Sequence, residues 1–80
     1  MDIKNYPDIV QEWMETIKKT VGNDSALANE YIEKLRRYAE DNGSVSLIGY
    51  CFYYQGQDAY SNANLNLSME CLGEAVKYLS

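Results

Sequence analysis

The chain has 80 residues, a formal net charge of −5 and 46% hydrophobic residues. These figures describe one small acidic domain with a modest core, since so short a chain buries only about 60–65% of its unfolded surface. Histidine is absent, which removes the commonest metal ligand and the residue that titrates near neutral pH. Seven basic against twelve acidic residues, without a basic stripe, argue against a nucleic-acid binder.

The first half of the chain carries two helical patterns. The first helix is predicted to begin near Pro7, and one apolar stripe recurs along it at steps of three and four: Ile9, Val10, Trp13, Met14 and Ile17. After a turn at residues 21–24, Asp24 or Ser25 caps a second helix. The apolar face of the second helix consists of Leu27, Ala28, Tyr31, Ile32, Leu35, Tyr38 and Ala39.

The second half also predicts two helices. Asn42-Gly43 is the strongest helix stop, and a third helix is expected from about Val45 to Ser61. Gly49 and Gly56 lie two turns apart on one face of it. Because each glycine costs a helix about 1 kcal/mol relative to alanine, we expect a neighbouring helix to approach closely there. A turn at residues 62–64 precedes a fourth helix, and the fold class is therefore all-α.

The segment from Phe52 to Ser80 follows a known two-helix pattern. In the first helix of this pattern, Phe52 takes the place of the large aromatic residue and Gly56 that of the glycine. In the second helix, Ser68 is the first small residue, Leu72 the second large residue and Ala75 the last alanine. On these residues the segment resembles a tetratricopeptide repeat (TPR). It departs from the repeat at Gln55, Ala59 and Ser80, where leucine, tyrosine and proline are usual. A looser repeat precedes it, with Ala28, Ile32 and Leu35 on its second helix.

The resemblance implies an architecture and a setting. It implies one domain over residues 1–80, with two antiparallel helical hairpins in TPR-like right-handed stacking. The tyrosine-rich helix pairs also look like the N-terminal regions that precede bacterial diguanylate cyclase output domains. The chain is thus expected to be a fragment of a longer signalling protein. No basic and apolar leader is visible at the N-terminus, so a cytoplasmic location is expected.

Catalytic and metal chemistry are not expected. Cys51 and Cys71 have no histidine to activate them, and we expect reduced thiols packed in the core or at an interface. The glutamate pairs are at helical spacing, but a di-iron site would need a histidine partner. We therefore expect no enzyme activity, no cofactor, no metal, no membrane insertion and no nucleic-acid partner.

The tyrosines are the most informative feature, since they make up eight of the 80 residues. Tyr50, Tyr53, Gln57 and Tyr60 follow one another at steps of three, four and three along one side of the third helix. In a TPR the first helix of each pair lines the concave groove, which makes this side a predicted partner-binding surface. Tyrosine suits such a surface because it combines rigid apolar area with a hydroxyl. The alternative is that the tyrosines fill the core.

The fourth helix carries two apolar stripes. We expect Leu65, Met69, Leu72, Val76 and Leu79 to face the third helix. Leu67, Cys71 and Tyr78 form a second stripe, a predicted interface for the next repeat or for self-association. The alternative is that this second stripe folds back onto the first two helices.

The sequence therefore predicts a protein–protein docking module whose partner is another polypeptide or a downstream domain. Two other functions stay open. One is a small-molecule-sensing helical domain with an apolar pocket gated by the tyrosines. The other is a structural helical bundle that dimerises.

Overall fold

The computed structural model describes residues 6–79, which form four helices and no strand. The helices are α1 (Asp8–Thr20), α2 (Ser25–Asp41), α3 (Val45–Ser61) and α4 (Leu65–Leu79). The prediction of an all-α chain with four helices is confirmed. Ser80, which takes the place of the closing proline of the TPR pattern, lies outside the described residues.

Each of the last three helices begins at a side-chain cap. Asp24 and Ser44 accept hydrogen bonds from the backbone N–H groups of Leu27 at 3.1 Å and Leu47 at 3.4 Å. The Asn64 side chain accepts one from the N–H of Leu67 at 3.4 Å. These bonds satisfy donors that a helix N-terminus otherwise leaves unpaired, so the chain fixes its helix starts locally.

The core lies among the first three helices. Its fully buried members come from α1, α2 and α3 in equal number: Val10, Met14, Ile17, Ile32, Leu35, Ala39, Leu47, Cys51 and Tyr54. Consecutive helices pack against one another, and α3 and α4 share the most extensive contact. The fourth helix therefore joins the domain mainly through α3.

The contact between α3 and α4 is close because its α3 side carries glycine. A Cβ atom built on Gly56 would lie 2.7 Å from Leu72 Cγ, and one on Gly49 would lie 2.7 Å from Leu79 Cγ. The Ser68 hydroxyl donates to the Gly56 carbonyl at 2.9 Å. The close approach predicted from Gly49 and Gly56 is confirmed, and α4 is the helix that makes it.

The predicted orientation of α4 is wrong for three residues. Leu65, Met69 and Val76 were expected to face α3, but they are 56%, 73% and 65% exposed. The buried residues of α4 are instead Ser68, Cys71 and Ala75. Because the two helices approach closely, small side chains occupy the middle of the contact and only Leu72 and Leu79 of the predicted stripe reach α3.

A buried carboxylate links the α1–α2 turn to the end of α3. Asp58 is 6% exposed, and its Oδ1 accepts hydrogen bonds at 2.9 Å from the Gly22 N–H and from the Ser25 hydroxyl. Its Oδ2 accepts from the Asn62 amide at 3.3 Å. Gly22 has a φ of +79°, a backbone conformation that glycine adopts readily. The carboxylate thus fixes how α3 lies against the first two helices.

Two structural details of α1 and α2 recur in α3 and α4. Trp13 of α1 meets Tyr38 of α2 edge-on at 6.3 Å between ring centroids, and Phe52 of α3 stacks on Tyr78 of α4 at 5.7 Å. The cap bond from Asp24 to the third helical residue likewise recurs at Asn64. The two halves of the chain therefore share local features as well as order of elements.

Candidate functional site

An open groove lies between α1 and α3, with a volume of about 330 Å³. Two of its lining residues come from α1 and four from α3: Met14, Lys18, Tyr50, Tyr53, Tyr54 and Gln57. We call it the tyrosine groove. It combines apolar ring and thioether surface with an ammonium group, an amide and three phenol hydroxyls, a mixture typical of surfaces that bind polypeptides.

The tyrosines of this groove are ordered by contacts within α3. Tyr54 is 3% exposed and anchors the cluster in the core. Tyr50 stacks on Tyr54 at 6.3 Å, and Tyr53 lies 5.8 Å from Tyr54 between ring centroids. Gln57 donates a hydrogen bond from Nε2 to the Tyr53 hydroxyl at 3.1 Å. The rings thus lose little freedom when a ligand binds, which favours affinity.

The structure brings together three of the four predicted partner-binding residues. Tyr50, Tyr53 and Gln57 line the tyrosine groove, with Tyr53 exposed and Tyr50 packed partly against the core. Tyr60 lies one turn further along α3, is 67% exposed and does not line the groove. Tyr54, which carries no predicted binding role, is the tyrosine that fills the core. A role of the other four residues in binding stays a prediction.

Sequence reasoning missed the contribution of α1 to this groove. Met14 and Lys18 lie one turn apart, so a helical projection places them on one side of α1. Nothing in the local pattern of α1 indicates that this side lies beside the tyrosines of α3. Lys18 also lies 3.8 Å from Glu15, an exposed pair that holds the ammonium group only weakly.

The predicted interface residues of α4 have three different environments. Cys71 is buried, Leu67 is 44% exposed, and Tyr78 is covered on one side by its stacking on Phe52. Leu67 and Cys71 line a second open groove of about 460 Å³ together with four residues of α3 and α4: Phe52, Gln55, Glu70 and Glu74. The three residues therefore do not form one continuous exposed stripe, and their role as an interface stays a prediction.

Both cysteines are free and buried. Burial raises the pKa of the Cys51 thiol to about 12, which nearby Arg36 offsets only in part, and the Cys51 Sγ lies 3.8 Å from the Ile32 carbonyl oxygen. Burial, aided by the charge of Glu70, also raises the pKa of Cys71. Thiols with raised pKa values are poor nucleophiles. Over residues 6–79, no cluster of three or more acidic or cysteine side chains could hold a metal ion.

The buried thiol makes stability fall at high pH. Above pH 9 the Cys51 thiol ionises in the unfolded chain but keeps its proton in the folded one, so the unfolded state binds fewer protons. The free energy of unfolding should therefore drop by about 1.4 kcal/mol per pH unit between pH 9 and 12. Burial raises the pKa of Tyr54 as well, which adds to the loss above pH 10. Urea titrations at several pH values measure this slope.

Cys51→Ala is the control for that pH dependence. The variant should be less stable near neutral pH because it leaves a small cavity, but its stability should fall less steeply above pH 9. Equal slopes for the two proteins would show that the thiol is not the group responsible.

None of the helices in the described part of the chain has the length and apolar character needed to cross a membrane. Comparison with protein-family models, with curated proteins and with solved structures finds no match to the chain.

Proposed function

We propose that this protein is a polypeptide-docking module and that an extended segment of a partner binds along the tyrosine groove. The observation that carries the proposal is the groove itself, which is lined by three tyrosine rings and an amide from α3 and by a lysine from α1. Apolar side chains of the partner would pack on Tyr50 and Tyr53. The Gln57 amide and the Tyr53 hydroxyl would bond its backbone.

Lys18 indicates which kind of partner segment the groove would bind. It is the basic residue of the groove lining, and its pairing with Glu15 is long and exposed. A partner carboxylate or backbone carbonyl can therefore replace that contact at little cost. We infer a preference for segments that combine apolar or aromatic residues with an acidic group. The clamp on a terminal carboxylate that some TPRs make uses several basic and asparagine side chains, and α3 brings none of these to the groove.

The module fits a TPR-like architecture of two antiparallel hairpins. Support comes from the recurrence of the aromatic pair, Trp13–Tyr38 and then Phe52–Tyr78. In such an architecture α1 and α3 are the first helices of their pairs, and the groove lies between them. The two free thiols are consistent with a cytoplasmic setting, and we propose that the module is the N-terminal regulatory part of a larger signalling protein.

Peptide selection tests the docking function. Immobilised protein should enrich one sequence motif from a displayed library of random peptides. The variant Tyr53→Ala should abolish binding of the enriched peptides, because Tyr53 lines the groove, and should keep the helical circular dichroism of the parent, because the side chain is exposed. Loss of the fold would instead show that the Tyr53 ring is part of the core.

Tyr31→Ala is the matched control, since Tyr31 lies on α2 beside Lys34 and outside the groove. It should retain peptide binding. A thermal-shift screen of metabolites tests the small-molecule alternative. Stabilisation by several degrees with one compound, lost in Tyr53→Ala, would replace docking by ligand sensing.

A further inference from the structure

One face of α4 carries exposed apolar side chains. Leu65, Met69 and Val76 are each more than half exposed, and a Cβ atom built on Gly73, between Met69 and Val76, would meet no other helix and no side chain beyond its chain neighbours within 4 Å. We call these four residues the open face. They carry no charge, and their helical spacing places them on one side of the helix, away from the buried Ser68, Cys71 and Ala75.

The equivalent face of α2 packs against α3, the helix that follows it. Counted from the capping residue, Ser25, Asn29 and Ile32 are the first, fifth and eighth residues of α2. All three face α3: Ser25 bonds Asp58, Asn29 lines a groove with Asp58, and the Ile32 carbonyl lies beside Cys51 Sγ. The same positions of α4 are Leu65, Met69 and Leu72. Leu72 packs on Gly56 of α3, whereas Leu65 and Met69 of the open face correspond to residues through which α2 meets the helix that follows it.

The α1 helix of a second copy is not suited to pack on the open face. Its exposed side carries four charged residues, Asp8, Glu12, Glu15 and Lys19. Packing this side against the open face of another copy would take these charges out of water, and the open face offers no opposite charge to compensate. Head-to-tail association of copies is therefore disfavoured. The open face of a second copy carries no charge, so pairing two open faces buries no charge from either face.

We propose that the open face binds the open face of a second copy, with the two α4 helices antiparallel about a two-fold axis. Met69 and Gly73 are four residues apart and adjacent on the helix surface. An antiparallel crossing centred between them places Met69 over Gly73 of the partner subunit and the partner subunit's Met69 over Gly73. A two-fold interface needs such self-complementarity, and the flexible methionine side chain adapts to a shallow hole. This proposal does not depend on the tyrosine groove.

Sedimentation equilibrium of the whole chain, with a reductant to exclude thiol cross-linking, tests this pairing. The wild-type mass should rise with concentration to twice the 9.2 kDa of one chain and no further. Met69→Glu should remain monomeric, because two carboxylates would be buried in the interface. Ala26→Glu, at an exposed position of α2, gives the same net charge and should still dimerise. Circular dichroism confirms that each variant is folded.

Gly73→Leu distinguishes a specific packing from general apolar adhesion. A leucine fills the hole that receives Met69, so the association constant should fall by about tenfold or more; mere adhesion would make the leucine variant associate more tightly. Exchanging the two residues, as Met69→Gly with Gly73→Met, restores a side chain opposite a hole and should recover the dimer. A wild-type chain that stays monomeric at the highest soluble concentration, or a Met69→Glu dimer, overturns the proposal, as does tighter association of Gly73→Leu.

Discussion

Replacing Gly56 with leucine is expected to lower the free energy of unfolding by about 3 kcal/mol. Even the first atom of the new side chain would lie 2.7 Å from Leu72 Cγ and 3.3 Å from the Leu72 backbone nitrogen. The Leu72 side chain can rotate away, but its backbone cannot move without displacing α4. The Ser68 hydroxyl, which bonds the Gly56 carbonyl, would be separated from its acceptor by the same displacement. Urea denaturation followed by circular dichroism measures the change.

Gly73→Leu provides the control within the neighbouring helix. Both glycines are in helix interiors, and leucine raises intrinsic helix stability by about 1 kcal/mol at either position. At Gly73 no packing contact opposes that gain, since no other helix and no side chain beyond the chain neighbours lies within 4 Å of the added Cβ. Measured at low protein concentration, this variant should be as stable as the parent or more so. Equal loss of stability at the two positions would contradict the close approach of α3 and α4.

The order of the helices follows from local signals in the chain. The caps at Asp24 and Ser44 and the left-handed Gly43, with a φ of +62°, act within a few residues, so their effect is visible in the sequence. The two glycines of α3 were also informative, because helix interiors rarely keep glycine without a packing reason.

The orientation of α4 was harder to predict because its apolar residues cover most of its circumference. Periodicity finds an apolar stripe but cannot say which part of a wide one is covered. The prediction placed large residues such as Leu65 and Met69 on the buried side because of their size. The buried side in fact carries Ser68 and Ala75, since a helix packed against glycine leaves room only for small side chains.

The tyrosine groove could be predicted only on its α3 side. The steps from Tyr50 to Tyr53 and Gln57 are local, whereas the position of Lys18 beside them depends on how α1 packs within the whole domain. No single-helix pattern contains that information. When two helices distant in sequence line one groove, the sequence therefore predicts the residues of one helix, and only the folded structure shows those of the other.

Asp58 gave no signal in the sequence, although it is a central polar contact of the fold. An acidic residue near the C-terminal end of a helix is unfavourable in isolation, because the helix dipole is negative there. Its partners Gly22 and Ser25 lie 36 and 33 residues earlier in the chain, so only the folded chain shows why it is tolerated. The three donors around its two oxygens offset the cost of burying its charge.

Asp58→Ala is accordingly expected to lower the free energy of unfolding by about 3 kcal/mol. The substitution removes the acceptor of the Gly22 N–H and of the Ser25 hydroxyl and leaves space at a site that is almost fully buried. Because Asp58 joins the α1–α2 turn to α3, amide hydrogen exchange should accelerate at Gly22, whose N–H loses its bond. Urea denaturation gives the total loss, and exchange gives its location.

Two variants separate this linkage from a general effect of removing a carboxylate. Asp58→Asn keeps an oxygen that can accept from Gly22 and Ser25, and it should cost about half as much as alanine. Asp24→Ala removes an exposed cap that serves only the Leu27 N–H, so it should cost about 1 kcal/mol. If Asp58→Ala were no more damaging than Asp24→Ala, the carboxylate would be a surface contact. The position of α3 against the first two helices would then rest on apolar packing alone.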